Sequence, residues 1–236
     1  MTGRTALKDS SPYSAAITRE QFLFFEMRTT ARLKAAGLSD KEIVARIVSN
    51  NLFQYPTEKT LVKMANACLR RLNSMDNDTL LNALADLPSS TSKQICLYAM
   101  MRQYRLVWDF MTTVIGEKYT RLNFSFSRAE VKAFLMNLQE QDDWVATWSE
   151  STLERVGQIL VRILIETEYL DDGKTDHINP VLIHPILENA IREAGLNAAL
   201  PAFNCIRSGS AVWLERNRHC GSHCAVDSRS EGYDQI

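Results

Sequence analysis

Apolar residues recur at three- and four-residue intervals along most of this chain, a spacing that places them on one face of an α-helix. Serine followed three residues later by glutamate marks three helix starts, at Ser39, Ser127 and Ser151. The pattern predicts a mainly α protein. Its expected helices cover residues 19–36, 39–50, 57–72, 75–87, 92–115, 127–139, 151–168, 185–194 and 198–206.

The predicted helix over residues 57–72 has two opposed faces. Its apolar face consists of Leu61, Met64, Ala65, Cys68 and Leu72. The opposite face is a single stripe of Lys59, Lys63, Asn66 and Arg70. Lysine and arginine suit nucleic-acid phosphates, and asparagine is able to read adenine bidentately. A solvated helix face is the other interpretation, because lysine and arginine are mostly exposed in any protein.

The pattern over residues 19–72 predicts a helix, a short helix, a turn and a longer basic helix, in this order. This is the order of a trihelical helix-turn-helix unit, whose last helix lies in the major groove of DNA. The turn at residues 52–56 is longer than in the tightest form of the motif. Residues 19–75 carry ten basic and five acidic residues. The pattern favours a DNA-binding unit, although three-helix clusters also occur without a nucleic-acid role.

The second half of the chain repeats this order loosely. The helix over residues 92–115 is apolar around most of its circumference, which predicts a central core helix. After the helix ending near residue 168, two short extended pieces flank a glycine turn and predict a β-hairpin, like the wing of a winged helix. We expect a helix-turn-helix-like unit over residues 1–88, with a loose start at 1–11. A core helix and winged-helix-like unit then occupy 89–207, before a disordered tail over 208–236.

The net charge of −1 conceals a polarised chain of 236 residues. Residues 1–121 hold 17 Lys and Arg against 11 Asp and Glu, a net +6, whereas residues 122–236 hold 10 against 17, a net −7. A basic surface is therefore expected in the first half, and the acidic second half fits a packing or partner-binding module. No apolar run could span a bilayer and the N-terminus lacks a signal-peptide core, so a cytoplasmic protein is expected.

Catalytic motifs are missing from the sequence. It has no P-loop, nucleophile elbow, HExxH or dinucleotide fingerprint, which argues against an enzyme and against a cofactor. Residues 219–224 (HCGSHC) hold two His and two Cys, the residue types that bind zinc. Structural zinc sites pair two separated knuckles, and only one run is present here, so an unstructured tail is the preferred interpretation and no metal is expected.

Two sets of residues are candidates for nucleic-acid contact. The principal set lies in the basic first half and consists of Lys59, Lys63, Asn66, Arg70, Arg71, Arg28, Arg32 and Lys34. The secondary set lies on the polar stripe of the helix over 151–168 and in the predicted wing, and consists of Arg155, Gln158, Arg162 and Lys174.

An ordered set of short motifs resembles the BrxA family of bacteriophage-exclusion (BREX) defence systems. The motifs lie between residues 13 and 203. They are Tyr13-Ser14-Ala15-Ala16-Ile17-Thr18, Glu26-x-Arg28, Ile47-Val48-x-Asn50-Asn51-Leu52-Phe53-Gln54, Ala67-x-x-Arg70-Arg71-Leu72, Tyr98-Ala99, Phe110-Met111, Trp148-x-x-Ser151-Thr152, Leu164-x-Glu166, Tyr169-Leu170 and Asn179-Pro180-Val181.

The resemblance implies a small helical, non-enzymatic component of an anti-phage system. The family is likened to the fold of NusB, an RNA-binding helical bundle, and is also regarded as DNA-binding. Duplex DNA binding through the basic N-terminal face is the leading hypothesis. The alternatives are an adaptor that contacts other BREX proteins through the acidic second half, and RNA binding in the manner of NusB.

Overall fold

A computed structural model describes residues 2–206 of the chain, with side chains from residue 5. Twelve α-helices follow one another in this part. They are α1 (Thr2–Ser10), α2 (Phe24–Ala35), α3 (Asp40–Ser49), α4 (Glu58–Met75), α5 (Asp78–Asp86), α6 (Ser89–Gln103), α7 (Arg105–Asp109), α8 (Gly116–Thr120), α9 (Arg128–Gln141), α10 (Asp143–Ala146), α11 (Glu150–Glu166) and α12 (Pro185–Glu193). Two 3-10 helices (Ala15–Thr18 and Asn197–Phe203) and a π-helix (Phe110–Ile115) complete the order. The prediction of a mainly α protein is confirmed.

Helices α3 and α4 begin where the sequence predicts, whereas the cap of α11 differs from the predicted one. Ser39 and Glu42 form the capping box that opens α3, and Thr57 accepts a hydrogen bond from the backbone of Thr60 to open α4. At the start of α11 the cap is Ser149, two residues before the predicted one, since its hydroxyl accepts from the Thr152 amide. Local hydrogen-bonding chemistry therefore fixes where these helices begin.

Two predictions for the N-terminal part of the chain are corrected. The sequence predicts a loose segment over residues 1–11, but α1 covers Thr2–Ser10. The helix expected from residue 19 begins only at Phe24, because Leu23 adopts a left-handed conformation (φ 56°) that a continuous α-helix does not allow.

The core helix predicted over residues 92–115 is also broken. Tyr104 is extended (φ −122°, ψ 110°) between α6 and α7, and the chain then widens into the π-helix before α8. The side chain of Tyr104 is buried and its hydroxyl donates to Glu20, so a tertiary contact holds the residue at the break. Gly116 follows the π-helix, where an added Cβ would lie 3.2 Å from the backbone nitrogen of Ala202.

Two hydrophobic clusters organise the described residues. The larger one joins α5, α6, α9, α11 and α12 around fully buried side chains such as Tyr98 and Phe203. It includes residues on both sides of residue 88. The domain boundary proposed at residue 88 stays a prediction. The smaller cluster lies between α3 and α4 and consists of Ile43, Ile47, Phe53, Leu61, Met64, Ala65 and Leu69.

The predicted β-hairpin is not present in residues 2–206. The segment after α11 instead pairs with the chain before α9, through an isolated antiparallel bridge between Ser125 and His177. The amide of Ile178 donates to the carbonyl of Phe124 over 2.7 Å, and these two residues lie far apart in the sequence. The backbone polar groups that would have closed a hairpin are taken up by this longer-range pairing. The predicted tail and the residues 219–224 lie outside the described part of the chain.

Candidate nucleic-acid interface

The small cluster fixes the position of α4 relative to α2 and α3. The turn between α3 and α4 contains two left-handed residues, Asn51 (φ 44°) and Gln54 (φ 57°). Phe53 inserts into the small cluster, and the hydroxyl of Tyr55 donates to Glu26 of α2 over 2.6 Å. Burial and this hydrogen bond raise the pKa of Tyr55, so the phenol stays a donor. The long turn is thus anchored at two points.

The predicted two faces of α4 are present. Its apolar positions are buried, and Lys59, Lys63, Asn66 and Arg70 are all exposed. Lys59 and Lys63 lie one helical turn apart and form no ion pair with any residue in the range 5–206. Their charges are consequently available to an external anion.

Arg70 differs from these two lysines because it has a partner. Its guanidinium contacts Glu20 over 2.8 Å, while half of its side chain (49%) remains exposed. The other carboxylate oxygen of Glu20 accepts from the Tyr104 hydroxyl over 2.6 Å. The exposed part of the Arg70 guanidinium can contact a phosphate. Its charge is partly neutralised by the carboxylate of Glu20, which the Tyr104 hydroxyl holds in position.

Arg71 is fully buried and lies on no surface. It donates to the backbone carbonyls of Glu20, Gln21 and Phe22, and its guanidinium lies 5.2 Å from the ring centre of Tyr104. These carbonyls belong to the irregular segment before α2. The sequence predicts Arg71 as a nucleic-acid contact, but its complete burial excludes it from direct contact. Its hydrogen bonds connect α4 to the segment that precedes α2.

The arginines of α2 are committed to the end of α5. Arg28 donates to the carbonyls of Ala85 (3.2 Å) and Leu87 (2.7 Å), and Arg32 donates to Ala85 (3.2 Å). Carbonyls at a helix C-terminus lack intrahelical partners, and cationic side chains stabilise them. Arg28 is half-buried, whereas Arg32 is exposed. Neither arginine contacts the stripe on α4, so the structure does not bring these candidates together with it.

Lys34 lies beside the C-terminal part of α4. It pairs with Asp40 over 2.8 Å, and the other oxygen of Asp40 accepts from the amide of Asn73 over 2.9 Å. The hydrogen bonds from Lys34 and Asn73 lower the pKa of Asp40. Lys34 therefore joins the edge of the basic face, although as half of an ion pair.

A groove of about 500 Å³ runs between α3 and α4 along this edge. Its walls include Asp40, Lys41, Val62 and Asn66, and Glu58 lies at the end nearest the start of α4. Glu58 is exposed, next to Lys59 in sequence, and stabilises the first turn of α4 through the helix dipole. Its carboxylate opposes the binding of an anion at this end of the stripe.

The secondary candidates are exposed but separate. Arg155 contacts Gln158 on α11 (3.3 Å), and Arg162 pairs with Glu166 (3.5 Å). Lys174 lies in the turn after α11, where its backbone amide donates to Asp172. No contact in the described residues links any of them to α4.

Sequence reasoning missed the acidic residues that shape this face. Glu20 is separated from Arg70 by 50 residues, so no local pattern indicates the pair. Glu58 directly precedes Lys59, and this position is the local signal by which its place at the groove could have been anticipated. Within residues 2–206, no cluster of His, Cys, Asp or Glu could hold a metal ion, and no helix has the length and apolarity to cross a bilayer.

Comparison with known proteins supports the resemblance noted above. The family model for BrxA matches residues 11–195. A protein named BREX protein BrxA from Bacillus cereus (strain H3081.97) is 31% identical over 185 residues, which is 78% of this chain and 92% of the relative. A protein of the same name from Escherichia coli O9:H4 (strain HS) is 20% identical and covers 82% of this chain and 90% of the relative.

A solved structure shares the fold. The crystal structure of an uncharacterized protein from Magnetospirillum magneticum superposes with a TM-score of 0.70 at 21% identity, covering 82% of this chain and 98% of that one. The family match extends over most of the described helices, from the start of the first 3-10 helix to the end of α12. This chain belongs to the BrxA family.

Proposed function

We propose that this protein is a non-enzymatic component of a BREX anti-phage system that binds duplex DNA through the exposed face of α4. The family membership and the names of the relatives support a role in BREX defence. The observation that carries the DNA-binding part is the pair Lys59 and Lys63. Both ammonium groups are exposed one turn apart and lack an ion-pair partner in residues 5–206.

The stripe has the dimensions of a phosphate-contacting surface. Arg70 lies eleven positions after Lys59, which corresponds to about 16 Å at 1.5 Å per residue. The major groove of B-DNA is about 12 Å wide, so the two ends of the stripe can reach both of its phosphate walls. Asn66 lies between them and is the residue suited to contact a base edge.

The trihelical unit resembles a helix-turn-helix in order but differs in its connection. Its turn, residues 50–57, is longer than the three or four residues that usually join the two helices of the motif. This longer connection favours a docking mode in which phosphate contacts dominate. The expected binding is tolerant of sequence, because phosphates position a protein without specifying bases.

Salt dependence tests the proposal directly. If Lys59, Lys63 and Arg70 each contact one phosphate, log Kobs should fall against log salt with a slope of about −2.7. A labelled duplex titrated with the full chain between about 50 and 200 mM NaCl measures this slope. Binding that is absent, or that does not change with salt, would contradict the proposal.

Competition identifies the nucleic acid. We expect unlabelled duplex DNA to displace the labelled duplex, and a structured RNA of the same length to do so less well. Preferential displacement by RNA would instead favour the NusB-like alternative.

A further inference from the structure

A second groove lies between α9 and α11, on helices that take no part in the proposed DNA contact. It encloses about 660 Å³. Each helix contributes one continuous face, at positions i, i+3, i+4, i+7, i+8 and i+11 counted from Arg128 and from Glu150. The groove is therefore about 16 Å long, or three turns of a helix lying in it.

The two walls run in opposite directions. The short α10 joins the end of α9 to the start of α11, and Arg128 at the start of α9 donates to the carbonyl of Gly173, beyond the end of α11. Gly157 lies where the walls approach each other, and an added Cβ there would meet Leu135 at 3.5 Å and Val131 at 3.6 Å. The missing side chain leaves a depression in the middle of the groove.

The floor is apolar and its edge exposes a large apolar side chain. Val131, Leu135 and Val161 are buried on the floor, and Trp148 is also buried where it lines the groove. Met136 on the α9 edge is 50% exposed. An exposed methionine beside an apolar depression is typical of surfaces that bind the apolar side of an amphipathic helix.

The two edges carry opposite charges. Arg128 and Lys132 line the α9 edge, whereas Glu150 and Glu154 line the α11 edge, and all four side chains are exposed. No ion pair within residues 5–206 involves any of them. Such a groove matches an occupant that is acidic along one flank, apolar in the middle and basic along the other flank.

We propose that the groove between α9 and α11 is a docking site for an amphipathic helix of another protein, acidic on the flank facing α9 and basic on the flank facing α11. The site is distinct from the exposed face of α4 and does not depend on DNA binding. It would allow the protein to contact a protein partner and nucleic acid through different helices.

Three synthetic helical peptides with the same apolar stripe test the charge pattern. One carries glutamates on one flank and lysines on the other, one carries glutamates on both, and one carries lysines on both. A simple exchange of flanks is not a useful control, because reversing the peptide in the groove would restore the match. Isothermal titration of the full chain should show the mixed peptide binding about tenfold more tightly than either uniform peptide.

Charge-reversal variants should change the preference in a defined way. Lys132→Glu leaves the α9 edge without net charge, because Arg128 remains, so the lysine peptide should bind as tightly as the mixed peptide. Glu154→Lys leaves the α11 edge without net charge, because Glu150 remains, so the glutamate peptide should bind as tightly as the mixed peptide. Both positions are exposed, and the fold can be checked by circular dichroism. Equal affinity for all three peptides, or an unchanged preference in both variants, would overturn the proposal.

Gly157 supplies a steric test with a matched control. Gly157→Leu should fill the depression and abolish binding of the mixed peptide. Gly157→Ala should retain binding, since its added methyl meets Leu135 and Val131 at ordinary contact distances. Analytical sedimentation of the protein without peptide tests whether a second copy of the chain occupies the groove. A dimer that Gly157→Leu dissociates would overturn the proposal of a different partner protein, as would the absence of any binding by the mixed peptide.

Unchanged DNA affinity in Lys132→Glu would show that the two sites are separate. Parallel loss of DNA and peptide binding in this variant would overturn the separation. Failure of the wild-type protein to bind DNA, with peptide binding intact, would contradict only the proposed function.

Discussion

Arg70 and Arg71 are neighbours in the sequence, yet Arg70 is half-exposed and Arg71 is completely buried. Both contact the same residue, since Arg70 pairs with the carboxylate of Glu20 and Arg71 donates to its backbone carbonyl. Glu20 thereby links the outer face of α4 to the interior. Mutation of Arg71 should mainly affect stability, whereas mutation of Arg70 should mainly affect DNA binding.

Replacement of Arg71 should damage the fold. Arg71→Met would leave the carbonyls of Glu20, Gln21 and Phe22 without their donor in a buried site. We expect a loss of about 3–5 kcal/mol in the free energy of unfolding, measured by urea denaturation.

The matched change Arg70→Gln should cost less than about 1 kcal/mol, because it removes a partly exposed ion pair. Its DNA affinity should nevertheless fall. Equal stability losses in the two variants would show that the buried hydrogen bonds of Arg71 are not a main support of α4.

Removal of the two unpaired lysines should weaken DNA binding without unfolding the protein. In Lys59→Ala/Lys63→Ala, the slope of log Kobs against log salt should become shallower by about 1.8. Fluorescence anisotropy with a labelled duplex measures the change, and urea denaturation checks the fold.

The same loss of charge on α11 provides a control. Arg155→Ala/Arg162→Ala removes two exposed cations from the secondary set of candidates. Its salt slope should remain that of the wild-type protein. A larger effect on α11 than on α4 would move the binding surface to the second half of the chain.

Removal of the carboxylate at the start of α4 should strengthen DNA binding. Glu58→Gln eliminates an exposed negative charge next to Lys59. We expect a severalfold gain in affinity at low salt that disappears at high salt, because exposed charges are screened. The variant should lose a few tenths of a kcal/mol in stability through the helix dipole. Weaker binding in Glu58→Gln would argue that DNA does not approach this end of the helix.

Alkaline pH should destabilise the fold partly through Tyr13. Burial and the 2.8 Å hydrogen bond to Asp109 raise the pKa of Tyr13 from 10.0 to about 12. The native state therefore holds its proton longer than the unfolded state. The resulting stability is complete below pH 10 and is lost as the pH rises from 10 to about 12.

Urea denaturation across this pH range measures the effect. Tyr13→Phe should reduce the slope of the unfolding free energy against pH by up to the contribution of one proton. Part of the decline will remain, because the pKa values of four other tyrosines are also raised, those of Tyr55, Tyr104, Tyr119 and Tyr169. An identical decline in wild type and variant would show that Tyr13 titrates normally in the folded protein.

The sequence was sufficient to predict the helical fold and the two faces of α4, because both depend on local periodicity. Ser39 and Thr57 show the same point for helix starts, since capping requires only neighbouring residues. The family was also accessible, because its motifs are short and ordered along the chain.

Features that depend on distant residues were not predictable in this way. Tyr104 interrupts an apolar helical pattern through a contact with Glu20, 84 residues away. The expected hairpin after α11 was wrong, because Ile178 pairs with Phe124 instead of a neighbouring segment. No local sequence pattern distinguishes the buried Arg71 from the exposed Arg70. Likewise, no local pattern identifies the carbonyl of Ala85 as the acceptor for Arg28 and Arg32.

Helix α4 belongs to both hydrophobic clusters, and this has a consequence for local opening. Leu61 and Met64 pack in the smaller cluster, whereas Cys68 and Leu72 pack in the larger one. The first half of α4 and α3 can thus lose their mutual packing while the second half stays anchored. Amide hydrogens of α3 should accordingly exchange faster than those of α6. If DNA binds only the closed form, the duplex should slow exchange in α3, a helix that supplies none of the proposed phosphate contacts.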